Sequence, residues 1–392
     1  MLARKRRGTR GSTRASGSHD SVFGSLTGRP WPQPATVLVN SPVAYGASVA
    51  SGGDFNGDGF ADLVVGSPDA KGEFGELMLY PGGAAGPVAP PTVLASPNGE
   101  LEFGGSIASA GDVNGDGYGD LLVSAVDNND EASVYLYLGS SAGLTPSTTV
   151  LRSGRLVGVA LASDLNGDGF SDVVVSVNGA PGALQGEIDV YLGGATGLSA
   201  SPNVITLRAD ALDGSEFLVD IADAGDVNGD GFGDVLVGTP NTGLGAIALY
   251  TGSATGLVAG PSIPNPGVAA GAFGDRLTGA GDINGDGFDD VVAGAPVYPN
   301  DNARAYVYFG SAKGLSTPPT ILEPPVGAVG DFSDPVAGAG DIDRDGFADV
   351  IIGSLGSPGA AYVYFGSKSG LRAPPTALLS PQNVYRFGES VE

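Results

Sequence analysis

Hydrophobic positions in this chain fall in short runs between turns rich in glycine and aspartate, and no segment sustains the 3.6-residue period of an amphipathic helix. One kind of run is apolar at successive positions and closes on small residues, as in Leu63-Val64-Val65-Gly66-Ser67-Pro68 and Val291-Val292-Ala293-Gly294-Ala295-Pro296. Apolarity on both faces predicts a central β-strand. A Tyr-rich run follows: Val134-Tyr135-Leu136-Tyr137-Leu138-Gly139-Ser140, Tyr306-Val307-Tyr308-Phe309-Gly310-Ser311 and Tyr362-Val363-Tyr364-Phe365-Gly366-Ser367. Its aromatic and β-branched content predicts a second strand. Gly-Leu turns at Gly143-Leu144, Gly197-Leu198, Gly256-Leu257, Gly314-Leu315 and Gly370-Leu371 lead to short Pro-flanked strands such as Thr92-Val93-Leu94 and Thr320-Ile321-Leu322. Proline beside a short strand marks a sheet edge. With the Ala/Gly-rich strand before each aspartate loop, for example Gly105-Ser106-Ile107-Ala108-Ser109, each unit holds four strands, and such short connections make them antiparallel.

The unit recurs along the chain. A nine-residue pattern reads DFNGDGFAD from Asp54, DVNGDGYGD from Asp112, DLNGDGFSD from Asp164, DVNGDGFGD from Asp226, DINGDGFDD from Asp282 and DIDRDGFAD from Asp341, at spacings of 58, 52, 62, 56 and 59 residues. That period exceeds a helical-pair repeat and suits a four-stranded blade. The predicted fold class is all-β: a β-propeller of four-stranded antiparallel blades, the small residues of the first strands lining the axis. Complete repeats begin near residues 45, 103, 155, 217, 273 and 332, with a partial repeat from 387. Val22-Phe23-Gly24-Ser25 and Thr36-Val37-Leu38 resemble the third and fourth strands of a further blade, and Phe387-Gly388-Glu389-Ser390-Val391 its first. The expectation is therefore seven blades with an incomplete closing blade; six blades with spare ends is the alternative. One domain over 20–392 is expected behind a basic leader at 1–19.

Composition narrows the chemistry. Cysteine is absent and His19 is the one histidine, which excludes disulfides, thiolate zinc sites and Cys-His or Ser-His catalysis. The net charge of −25 repels phosphate backbones and favours cations, so nucleic acid is not an expected partner. Arg4, Lys5, Arg6, Arg7, Arg10 and Arg14 concentrate basic charge in the leader, leaving the body more acidic still. No apolar run approaches the ~18 residues of a membrane span, and Gly, Ser and Thr follow the leader where a secretory signal would be apolar.

The candidate chemistry sits in the repeated loop, where oxygen-bearing residues alternate around a glycine turn. The expected ligands are Asp54, Asn56, Asp58, the Phe60 carbonyl and Asp62 in the first copy, and Asp112, Asn114, Asp116, the Tyr118 carbonyl and Asp120 in the second. Asp164, Asn166, Asp168, Phe170 and Asp172 form the third set, and Asp226, Asn228, Asp230, Phe232 and Asp234 the fourth. Asp282, Asn284, Asp286, Phe288 and Asp290 form the fifth, and Asp341, Asp343, Asp345, Phe347 and Asp349 the sixth. Hard oxygens at every second residue are what Ca²⁺ requires, whereas Mg²⁺ keeps more of its own water. Position twelve is Val65, Val123, Val175, Val237, Ala293 and Ile352, which excludes an EF-hand, whose twelfth residue is a bidentate Glu. About six Ca²⁺ ions are expected, enough to remove roughly half of the net charge. In the sixth loop Asp343 replaces Asn and Arg344 replaces Gly; a positive φ is expected at Arg344, its charge offsetting the added carboxylate.

With these motifs in hand, the repeats resemble the FG-GAP repeats of the integrin α-subunit β-propeller and its bacterial relatives over residues 20–392. Phe103-Gly104, Phe273-Gly274 and Phe387-Gly388 carry the Phe-Gly element, with Tyr45-Gly46, Phe217-Leu218, Phe332-Ser333 and Arg155-Leu156 as departures. Gly294-Ala295-Pro296, Gly66-Ser67-Pro68 and Gly238-Thr239-Pro240 carry the second element. The resemblance implies seven blades, calcium on the lower hairpins, a protein or glycan ligand on the opposite face and an extracellular, secreted or cell-surface setting. The expected function is a non-catalytic adhesion or interaction module, with contacts from loops such as 126–131 and 298–304. A carbohydrate-binding or carbohydrate-active propeller, as lectin, lyase or hydrolase, is the alternative.

Overall fold

The computed structural model describes residues 46–379 apart from short stretches, chiefly 71–73, 127–131, 178–184, 209–219, 241–244, 268–272, 297–302 and isolated positions, together with the strand residues 21–23 and 36–38. Six four-stranded antiparallel sheets form in sequence order among the described residues. The fifth is representative, with strands Arg276–Gly281, Asp290–Ala295, Arg304–Tyr308 and Thr320–Leu322. Val292 lies opposite Val307, and Tyr306 opposite Ile321. The kinds of strand expected are recovered in place: Leu63–Ser67 is nearly all buried, and the outer strand Thr92–Ala95 is mostly exposed, as an edge must be.

The sheets are arranged as blades. Their first strands, Ser48–Ser51, Ile107–Gly111, Leu156–Ala162, Asp220–Gly225, Arg276–Gly281 and Asp331–Gly340, touch one another in that order. Small residues are needed there because backbones approach closely: a Cβ on Gly279 would lie 2.4 Å from the Asp223 carbonyl oxygen, and one on Gly338 2.5 Å from that of Gly279. Between blades the core is apolar. Phe273, for example, is fully buried and meets Tyr306 edge-on at 5.5 Å between ring centroids.

The two sequence elements of each repeat prove to be halves of one inter-blade contact. A Cβ on Gly66 would sit 2.3 Å from the Gly104 carbonyl oxygen, and one on Gly238 2.0 Å from that of Gly274. The Phe-Gly turn of one blade thus lies against the Gly-Ser-Pro or Gly-Thr-Pro turn of the blade before it.

The blade count differs from the seven expected. Six complete blades form among the described residues, besides a separate antiparallel pair, Ser21–Phe23 with Thr36–Leu38; the strand expected from Phe387 lies outside the described residues. A blade needs four paired strands, and beyond these six sheets only two strands pair among the described residues. Tyr45, Arg155, Phe217 and Leu218 also fall outside the described residues.

Candidate metal centre

Each nine-residue loop joins the first and second strands of its blade, so all six hang from the same end of the inner strands. The loop is shaped by its own side chains accepting its own amides. Asp112 Oδ1 accepts from Gly115 N and Asp116 N at 2.7 and 3.1 Å, and its Oδ2 from Gly117 N at 2.8 Å. Asn114 Oδ1 accepts from Asp116 N at 2.9 Å, and Asp116 Oδ1 from Tyr118 N at 3.0 Å. The bonds from the position-five and position-six amides to the first aspartate recur in all six copies. This curls positions one, three and five around a common centre. In the sixth loop carboxylate oxygens of Asp341, Asp343 and Asp345 all lie within 4.8 Å of one another.

Position nine stands apart. Asp62, Asp120, Asp172, Asp234, Asp290 and Asp349 are almost completely buried, and each accepts two backbone amides, as Asp62 does from Phe55 N at 3.0 Å and Gly82 N at 2.7 Å. The second donor comes from the turn after the third strand, so this residue ties the loop to its own sheet. Among the described residues it does not join the close group formed by Asp341, Asp343 and Asp345. Loss of hydration pushes these carboxyls up, against the lowering effect of the two amides, with neighbouring loop aspartates adding to the rise. Asp120 and Asp172 reach about 6, and Asp234 and Asp290 about 7. Such a loop concentrates charge that a cation would relieve.

The donor set fits a hard divalent cation. In the first four loops the position-three Asn Oδ1 accepts the position-five amide, but in the fifth the Asn284 Oδ1 is shielded from solvent and has no hydrogen-bond partner among the described residues. A desolvated, unpaired oxygen is costly, and a cation held among oxygens satisfies it.

Successive loops are also clamped together. The carbonyl of position one accepts the position-eight amide of the next blade, from Gly119 N to Asp54 O at 3.0 Å through Ala348 N to Asp282 O at 2.9 Å, and the position-two carbonyl accepts a second amide, as from Ser140 N to Phe55 O at 3.0 Å. The position-seven ring of the next blade covers the position-four glycine. A Cβ there would lie 2.6 Å from Tyr118 at Gly57, from Phe170 at Gly115, from Phe288 at Gly229 and from Phe347 at Gly285. These glycines also hold φ near +70°. The position-seven residue, read in the sequence only as a carbonyl donor, is therefore also an inter-blade clamp. Its signal was the pairing of an aromatic at position seven with Gly at position four, broken only by Arg344.

Among the described residues no such clamp reaches the sixth loop. Arg344 has the expected positive φ, 62°. Its charge is not what balances the extra carboxylate: among the described residues, Arg372 pairs with Asp343 at 3.6 Å and with Asp345. Arg372 was missed in the sequence, although it is the only basic residue directly after a Gly-Leu turn. Of the loops proposed for the opposite face, 127–131 and 297–302 lie outside the described residues; Arg304 pairs there with Glu323 at 2.9 Å. No helix among the described residues is long and apolar enough to cross a membrane.

Comparison with known proteins agrees with this architecture. Residues 45–88 match the FG-GAP repeat, and residues 112–175, 226–293 and 282–352 the FG-GAP-like repeat. Integrin alpha-PS5 of Drosophila melanogaster is 39% identical over 147 residues, covering 35% of this chain and 14% of that protein. Integrin alpha-7 of Homo sapiens is 36% identical over 181 residues, covering 43% and 15%. The chain thus spans about one-seventh of the length of these relatives. Among solved structures, a protein from Lactobacillus plantarum superposes with a TM-score of 0.53 at 14% identity, covering 91% of this chain and 94% of that one. AofleA from Arthrobotrys oligospora gives 0.50 at 11% identity, covering 93% and 90%; both likenesses concern the fold alone. With the matched repeats taking in more than half of its residues, the chain belongs to the FG-GAP repeat family.

Proposed function

We propose that this propeller is a calcium-binding, non-catalytic interaction module of the extracellular space or cell surface, engaging a protein or glycan partner with the face opposite its loops. The observation that carries the calcium reading is the convergence of the Asp341, Asp343 and Asp345 oxygens in the sixth loop, on a hydrogen-bonded turn that recurs in all six, together with the unpaired Asn284 Oδ1 of the fifth. Asp, Asn or Asp, and Asp at positions one, three and five would hold the ion, with the position-seven carbonyl completing its shell and the buried position-nine carboxylate anchoring the loop behind it. Bound there, Ca²⁺ supplies neutralising charge and locks the hairpin. Millimolar calcium outside cells suits loops of this kind, and the integrin α relatives support an adhesive role. Near-identity among loops supports a structural duty, because catalysis needs one site unlike its siblings. The carbohydrate alternative gains no argument from solved structures of 11–14% identity.

The reading is tested by thermal unfolding of the whole chain in EGTA and after Ca²⁺ reloading, with calorimetric titration. Ions bound only by the folded state stabilise it, so chelation is expected to lower the midpoint by many degrees. An unchanged midpoint with no heat of Ca²⁺ uptake ends the calcium reading.

We also propose that a seventh blade fills the seam between blades six and one. Among the described residues no amide of blade one reaches the Asp341 or Ile342 carbonyls, and the first strand of blade six makes no contact with that of blade one comparable to the other neighbours. Phe60, the one position-seven ring with no preceding loop beneath it among the described residues, is 43% exposed. The pair Ser21–Phe23 and Thr36–Leu38 and the segment from Phe387 are the strands this proposal assigns to the seam.

A further inference from the structure

We propose that Arg372 is a built-in counter-ion of the sixth loop, so that this loop is the last to take up Ca²⁺ and the other five fill first. The inference rests on the calcium reading of the loops and deepens it. Three departures fall together in blade six: Asp343 adds a carboxylate, Arg344 replaces the clamped glycine, and Arg372 stands directly after the Gly-Leu turn. The equivalent positions after that turn in the other five blades are Val88, Thr145, Ser199, Val258 and Ser316, none of them charged.

Geometry joins the three. The backbone of Arg372 is fixed by its amide, which donates to the Phe365 carbonyl at 2.8 Å, and this aims the guanidinium at the loop. One end of the guanidinium donates to Asp345 Oδ2; the other lies 3.6 Å from Asp343 Oδ2. Asp343 and Asp345 are two of the three carboxylates that converge within 4.8 Å, so the cation faces the oxygens a metal ion would use. One added aspartate and two added arginines, Arg344 within the loop and Arg372 beside it, leave this site one unit less negative than loops one to four, and that positive charge is covalently attached. Calcium entering the sixth loop must displace the guanidinium or bear its repulsion; the other five loops set no such barrier.

A second feature points the same way. Loops one to five are held by two amides and an aromatic ring from the following blade, whereas among the described residues nothing equivalent lies on loop six. A less constrained loop loses more entropy on closing around an ion. In the metal-free state the internal ion pair partly neutralises two of the three carboxylates, Asp343 and Asp345, and so lets them lie near Asp341 without a metal.

The test is calorimetric Ca²⁺ titration of the EGTA-stripped whole chain and of Arg372→Ala, with Arg372→Gln as a second variant that keeps most of the side-chain length. In the parent chain one site is expected to bind roughly tenfold or more weakly than the other five, and Arg372→Ala to bring it into their range. Unfolding midpoints give an independent readout: Arg372→Ala is expected to be less stable than the parent in EGTA, the gap closing in millimolar Ca²⁺. Six equivalent sites in the parent, or a weak site unmoved by both substitutions, overturn the role of Arg372 while leaving the loops as calcium sites. Absence of uptake in every protein overturns the calcium reading itself, and with it this inference.

Discussion

Asp58 and Asp62 occupy one loop, and their surroundings give them separable duties. Asp58 is exposed, and its single backbone bond, accepted from Phe60 N by Oδ1 at 3.0 Å, survives replacement by asparagine. Asp62 is 2% exposed, and both its oxygens accept amides from different parts of the blade. An asparagine there turns an NH₂ toward one of those N–H groups and leaves a buried donor unsatisfied. Asp62→Asn is therefore expected to cost about 1–3 kcal/mol in EGTA and in Ca²⁺ alike, whereas Asp58→Asn lowers the unfolding midpoint only when Ca²⁺ is present. Chemical denaturation of both variants in each buffer reads the difference; equal losses in both conditions for Asp58→Asn would contradict its assignment as a ligand. Sequence spacing made the two residues equivalent, since alternation names every oxygen-bearing position. What separates them is a hydrogen bond from Gly82, which only the folded blade brings to Asp62.

At the scale of elements, the strands were legible because their apolar runs and turn residues repeat six times, and the structure places Leu63–Ser67, Thr92–Ala95 and Thr320–Leu322 where those runs stand. Contacts between elements were not legible. At the end of the inner strands opposite the loops, Arg276 Nε donates to Asp334 Oδ1 at 2.8 Å and Leu277 N to Asp220 Oδ2 at 2.9 Å, binding blades four, five and six at residues the repeat pattern does not distinguish. Lost hydration pushes Asp220 up to about 7, against the pull of Arg276 and the Leu277 amide. A carboxyl raised in the folded state favours folding when protonated, so its contribution is complete below the ordinary range near 3.8 and is lost as pH rises through about 7. Asp220→Asn, which resembles the protonated form, should raise the midpoint by a few degrees at pH 8 and leave it unchanged near pH 4. Midpoints measured across that range check this; a constant offset at every pH would remove the titration of Asp220 as its cause.

For the whole molecule the seam is the decisive feature. The amides of Ala61 and Gly83 occupy the places that Gly119 and Ser140 hold in blade two, where both donate to blade one. Six loops serve six blades, so a seventh blade in the seam keeps Ala61 and Gly83 from the Asp341 and Ile342 carbonyls without offering loop carbonyls in their place. Hydrogen exchange of the full chain is then expected to be faster at these two amides than at Gly119 and Ser140, and equal protection would point to six blades closed on themselves. The sequence by itself determined the repeat, the four strands within it and the chemistry of the loop, because those are local: periodicity, turn residues and alternating oxygens act over a few neighbouring positions. Only the tertiary structure decided how many blades are complete, which aspartate anchors and which faces the centre, and that Arg372 rather than Arg344 balances the sixth loop. Each of those depends on partners 20 or more residues away in sequence, as Asp62 and Gly82 are, and one chain records no distance between such residues until it folds.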